Sequence, residues 1–194
     1  TNQTVLKSGP VISTSPPVLV WTGEPGYESD GINPESGLPG TTFYYRIKYI
    51  DSDGDGPKSG YPKLHIKKAG SAITGSPFSM SVANSYSPAA GTIYYYNTAS
   101  LSASAEYSYY FETYDAYDKG PVVTSEKSIP TVNTPPGLVY SDEAGFTATA
   151  VQPSSGTTDS EFTFKIKFRD TDGNAPLPDF PKLVVLSGVT EIRR

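Results

Sequence analysis

FYYRIKYIDSDGDGP, residues 43–57, returns later in the chain as FTFKIKFRDTDGNAP, residues 162–176. Each copy opens on a run in which large apolar side chains recur at every second position. Phe43, Tyr45, Ile47 and Tyr49 alternate with Tyr44, Arg46, Lys48 and Ile50, and Phe162, Phe164, Ile166 and Phe168 alternate with Thr163, Lys165, Lys167 and Arg169. A period of two puts one set on each face of a β-strand. A Phe and Ile face backed by a Lys and Arg face belongs to an antiparallel sheet with one side buried and the other wet. Both copies then enter a stretch of Asp and Gly, the residues that tight turns use. The expected fold is all-β.

Working outward, the two copies stay in register without a gap from Pro16 to Ile66 at a shift of 119 residues, which marks an internal repeat. Trp21 falls on Tyr140, Glu24 on Glu143, Gly26 on Gly145, Tyr27 on Phe146, and Tyr61-Pro62-Lys63-Leu64 on Phe180-Pro181-Lys182-Leu183. In the first copy, strands are expected at 18–22, 43–50, 62–68, 78–83, 92–98, 107–114 and 121–127, here lettered A to G. Short strands with turn signals between them predict an antiparallel immunoglobulin-like or fibronectin type III-like β-sandwich.

The second copy reaches Arg194 after the equivalent of strand C, and SGPVIST at 8–14 resembles KGPVVTS at 119–125. The expected organisation is a strand-G-like segment of a preceding or neighbouring repeat at 1–15, a complete sandwich at 16–131, and the first half of a second, incomplete repeat at 132–194. Half a sandwich cannot cover its own core. Either the sequence is a portion of a longer array, or the first strand of one molecule completes the open half of the next. The latter is a head-to-tail strand donation that would build a filament.

Composition narrows the function classes. Asp and Glu number 20 against 15 Lys and Arg, and the basic residues are scattered, so nucleic acid is not an expected partner. The 18 Gly, 18 Pro, 15 Tyr and 8 Phe suit aromatic strands joined by punctuated turns. The absence of cysteine excludes disulfides, iron–sulfur ligation and thiol catalysis. No apolar run approaches the ~18–20 residues of a membrane helix, so no membrane insertion is expected within this segment. The single histidine, His65, lacks a partner for zinc or a triad and reads as a rim residue. The pairs Glu24/Asp30 and Glu112/Asp115 sit on no recognisable catalytic scaffold, and no enzyme activity is expected.

DSDGDG at 51–56 sets three carboxylates at alternate positions, an arrangement that oxygen-seeking Ca²⁺ uses in loops. It matches the first six positions of an EF-hand, but the twelfth is Pro62 rather than Glu, and the flanks read as strands. The B–C and F–G loops of a sandwich lie at one end, which would gather Asp51, Asp53 and Asp55 with Asp115 and Asp118. Like charges ~4 Å apart cost on the order of 1–4 kcal/mol without a cation. In the second copy Asn133 would join Asp170, Asp172 and Asn174. The competing reading of both loops is a solvated acidic turn.

The layout resembles the tandem immunoglobulin-fold repeats of prokaryotic surface proteins, in the company of cadherin-like, polycystic-kidney-disease-like and fibronectin type III-like repeats. That resemblance implies an extracellular rod of domains on a cell surface, with calcium stiffening loops or linkers. The expected function is a non-catalytic structural or adhesive region of a surface stalk, surface layer or filament. Its expected partners are other copies, adjacent repeats or surface glycans. The alternative is a carbohydrate-binding accessory module of a secreted protein, using tyrosines such as Tyr44, Tyr94-Tyr95-Tyr96 and Tyr110 to stack on sugar rings.

Overall fold

The computed structural model describes residues 14–187 and the backbone of 190–191; nearly all of the strand-G-like segment expected at 1–15 lies outside the described residues. The chain divides into two units, Thr1–Asn133 and Thr134–Arg194. Every regular element among the described residues is a strand, so the fold is all-β, and no helix is long and apolar enough to cross a membrane.

The first unit contains β1 (Val18–Val20), β2 (Ile32–Asn33), β3 (Ser36–Gly37), β4 (Phe43–Ile50), β5 (Lys63–Lys68), β6 (Ser71–Ala72), β7 (Phe78–Ser79), β8 (Ser81–Val82), β9 (Thr92–Thr98), β10 (Tyr107–Thr113), β11 (Val122–Val123) and β12 (Thr131–Val132). One sheet runs β1-β4-β9-β8, with β2 also on β4. The other runs β11-β10-β5-β6, with β7 on β5. The expected strands A, B, C, E, F and G are therefore β1, β4, β5, β9, β10 and β11.

The segment expected to be one strand D is two pieces on different sheets. Phe78–Ser79 pairs with β5 and Ser81–Val82 with β9. The change of sheet falls at buried Met80, whose amide donates to the Pro62 carbonyl at 3.0 Å. Bends of this kind carry a chain from one layer to the other.

Alternation puts the core where the sequence places it. Phe43, Tyr45, Ile47 and Tyr49 of β4 are fully buried, as are Leu64 and Ile66 of β5 and Tyr109 and Phe111 of β10. The Tyr45 and Tyr109 rings meet edge to face at 5.0 Å and 77°, so both sheets contribute to one core. Such ring pairs are worth about 0.5–1.5 kcal/mol beyond the area they bury.

The second unit contains β13 (Gly137–Val139), β14 (Val151–Gln152), β15 (Thr163–Phe164), β16 (Lys167–Arg169), β17 (Leu186–Ser187) and β18 (Thr190–Glu191). It repeats the first half of the first unit contact by contact at the same shift of 119 residues. Leu138 faces Phe168 as Leu19 faces Tyr49, and Val151 faces Phe164 as Ile32 faces Tyr45. The β17–β18 hairpin has the register of β5–β6. The Glu24–Arg46 ion pair recurs as Glu143–Lys165, and each cation lies over the matching ring, Tyr27 or Phe146, at 5.2 and 5.1 Å.

What differs is continuity. The counterpart of β4 is broken into β15 and β16, and residues 182–185, the counterpart of 63–66, carry no strand. In the first unit β9 holds β4 along seven registered pairs and β10 holds β5 along six. The described residues of the second unit include no such partners. Phe162, Phe164 and Ile166 are accordingly 41, 43 and 41% exposed, where Phe43, Tyr45 and Ile47 are each at 0%.

Candidate metal centre

β4 ends at Ile50 and delivers Asp51 into the interior, 1% exposed. Its Oδ1 accepts the amides of Asp53 at 2.9 Å and Asp55 at 3.3 Å, so one carboxylate oxygen folds the acidic loop around itself. Gly54 occupies the left-handed region at φ +81°, where a side chain would be strained, and its amide closes the turn on the Asp51 carbonyl at 3.1 Å.

The loop after β10 is built the same way around Asp115, which is fully buried. Its Oδ1 accepts the amides of Tyr117 at 2.8 Å and Lys119 at 2.7 Å. The two loops are sewn together by backbone bonds from Lys58 to the Tyr114 carbonyl and from Ala116 to the Gly56 carbonyl, both 2.9 Å.

One carboxylate oxygen from each of Asp51, Asp55 and Asp115 then lies within 4.8 Å of the others. Asp55 Oδ2 and Asp115 Oδ2 are buried and have no hydrogen-bond partner. A buried carboxylate oxygen without a partner is costly unless a cation satisfies it. Desolvation first, then the charges of Asp51, Asp115 and Asp53, hold the Asp55 carboxyl above its ordinary range. From the core side, the Tyr49 hydroxyl donates to the Asp55 carbonyl at 3.0 Å and lies 3.5 Å from Asp51 Oδ2. Burial, followed by the charges of Asp51 and Asp115, pushes that hydroxyl far above its ordinary value. An all-oxygen anionic donor set suits a hard divalent cation, Ca²⁺ or Mg²⁺, rather than zinc or copper.

The other expected ligands make bonds of their own. Asp53 Oδ2 accepts the amide of Ser15, just ahead of Pro16 and Pro17, and Asp118 is ion-paired with Lys58. In the second unit Asp170 Oδ1 accepts the amides of Asp172 at 2.8 Å and Asn174 at 3.2 Å, and Asp172 accepts the amide of Thr134, just ahead of Pro135 and Pro136. The three carboxylate–amide bonds of the acidic loop are thus reproduced, whereas the Tyr49 hydroxyl bond is not, its counterpart being Phe168. A counterpart of Asp115 is lacking among the described residues of that unit, and Asn133 belongs to the first unit, where its amide donates to the Gly37 carbonyl at 2.9 Å.

Two residues near the centre escaped the sequence reading. Tyr49 occupies an inward position of the alternating strand, a signal that was present. Tyr86 carried none; its hydroxyl lies so close to Gly56 that a Cβ there would meet it at 2.0 Å.

Elsewhere, His65 is half-buried, stacked on Tyr110 at 4.3 Å and bonded to Glu112 at 2.6 Å. Of the tyrosine run, Tyr94 is core, Tyr96 stacks on Phe78 at 4.6 Å, and Tyr95 is exposed. The chain matches no protein-family model and no curated protein.

Proposed function

We propose that the chain is a non-catalytic, extracellular repeat region of a surface stalk, surface layer or filament, built of immunoglobulin-like sandwiches and stiffened by calcium. The observation that carries this reading is the trio Asp51, Asp55 and Asp115, which brings carboxylate oxygens from two loops within 4.8 Å of one another and leaves Asp55 Oδ2 and Asp115 Oδ2 buried without a partner. β4 and β10 belong to different sheets, so a cation held between the loops that follow them clamps the two sheets at one end. One sheet groups A, B, E and the second half of D, and the other groups G, F, C and the first half of D; apart from the divided D, this resembles the constant-type immunoglobulin partition and supports the fold part of the reading. The recurrence of the same loop and ladder at a fixed spacing supports the repeat part.

The test is thermal unfolding in calcium and in chelator, for the wild type and for Asp115→Asn. Calcium at about 100 times its dissociation constant should stabilise the wild type by about 2.7 kcal/mol and leave the variant unmoved. Equal melting of the wild type in both buffers would sink the calcium part and leave the trio a solvent-neutralised acidic turn.

A second reading rests on Tyr44 and Tyr95, both exposed, on neighbouring strands of one sheet. Two rings on one outer face offer a sugar-stacking platform. Tyr110 adds nothing to it, because its ring is covered by His65 and by the Lys67 ammonium, 5.1 Å from its centroid.

A further inference from the structure

We infer that the apolar face of the second unit, centred on Phe162, Phe164 and Ile166, is a docking surface for a strand block of the type formed by residues 76–133. Large apolar side chains exposed together mark an interaction surface, and Leu183 and Val185, the counterparts of the buried Leu64 and Ile66, are exposed as well. The first unit displays what such a face receives. Over the matching residues Phe43, Tyr45 and Ile47, β9 runs alongside β4 from Phe43↔Thr98 to Tyr49↔Thr92, and β10 brings Tyr109 against the Tyr45 ring.

Part of the receiving surface is in place, because β13, β14 and the β17–β18 hairpin keep the registers of their counterparts, while the broken β15–β16 run and residues 182–185 have no neighbour among the described residues that extends them into continuous strands. The acidic loop of the second unit is folded around Asp170 but has no facing carboxylate among the described residues, and the loop that supplies Asp115 belongs to the same block. The partner is therefore a block of two long antiparallel strands with Tyr or Phe at alternate positions, joined to an acidic loop after the second. The molecule's own residues 76–133 are engaged in the first unit through the β4 and β5 ladders, so the occupant is a separate block of that kind.

At the shift of 119 residues the position after Arg194 corresponds to Ser76. The test joins a second copy of residues 76–133 directly to the full chain. Exchange of the amides at 163–168 should slow by about tenfold or more, because buried ladder amides open far less often than exposed ones, and binding of an apolar dye should fall. The reading of register is independent. The chain has no cysteine, so Lys167→Cys combined with Ile93→Cys in the appended copy should cross-link, as their counterparts Lys48 and Ile93 are paired.

Unchanged exchange together with failure to cross-link would overturn the inference, whether the appended block folds elsewhere or not at all. Protection of 163–168 in the unextended chain, with a dimer in sedimentation, would overturn it in favour of a second copy as occupant. All arms are run in chelator, so that their outcome does not depend on the calcium reading.

Discussion

Asp115 spends its two oxygens on different tasks, and substitutions can separate them. Asn at this position keeps an acceptor for the Tyr117 and Lys119 amides while removing the charge. Asp115→Asn should therefore melt at or above the wild type in chelator and lose all calcium response. Asp115→Ala takes the acceptor from two part-buried amides and should cost about 1–3 kcal/mol in either buffer, from two lost hydrogen bonds of about 0.5–1.5 kcal/mol each; denaturant midpoints would measure both. Asp55 sets a pH dependence of definite sign. Its folded value lies above the ordinary 3.8, so the folded state binds that proton more tightly than the unfolded chain. The cost of ionising Asp55 is present above its folded value and fades as pH falls toward 3.8. In chelator, the stability difference between the wild type and Asp55→Asn should shrink from neutral pH to about pH 4. Calcium should reverse the trend by holding the carboxylate ionised. DSDGDG announced an acidic loop, yet alternation along it could not say that Asp53 turns to the entering chain while Asp51 turns inward. That choice is made by amides two and four residues on and by a facing loop some sixty residues away.

Among elements, β4 and β10 form the centre of the first unit, and their tyrosines are not equivalent. The Tyr109 hydroxyl donates to the Asp30 carbonyl, whereas the Tyr45 hydroxyl is buried without a partner. Tyr45→Phe is expected to raise stability by about 1 kcal/mol and Tyr109→Phe to lower it by about 0.5–1.5 kcal/mol, both read from chemical denaturation. Six of the seven strands were legible because an alternating pattern survives any arrangement of neighbours. Strand D was misread as continuous because its change of sheet at Met80 depends on the Pro62 carbonyl, a contact that no local pattern encodes. The β4 counterpart makes the complementary point. FTFKIKFR has the cleaner alternation of the two copies, yet it forms the shorter strands, since a ladder needs a partner as well as a propensity.

Taken whole, the molecule shows the same half-repeat in two environments, a comparison in which sequence pattern is nearly constant and burial is not. Phe43→Ala should cost about 3–5 kcal/mol, the range for deleting a buried aromatic side chain. Phe162→Ala, at the matching position but 41% exposed, should cost under about 1 kcal/mol. Separate unfolding transitions for the two units, followed by tryptophan fluorescence and amide exchange, would resolve the pair, because Trp21 is the only tryptophan and lies in the first unit. The repeat itself was fully legible, down to its spacing. The contrast in burial follows from ladders like those of β9 and β10 having no counterpart among the described residues of the second unit.

The carboxylates of Asp53 and Asp172 each take the last amide before a pair of prolines, and proline nitrogen has no hydrogen to offer. Each repeat thus carries its own fastening for the chain that enters it, made to a backbone group that any residue but proline supplies. Such a unit is portable. A different sequence ahead of it would leave that fastening intact, so long as the residue before the prolines keeps its amide.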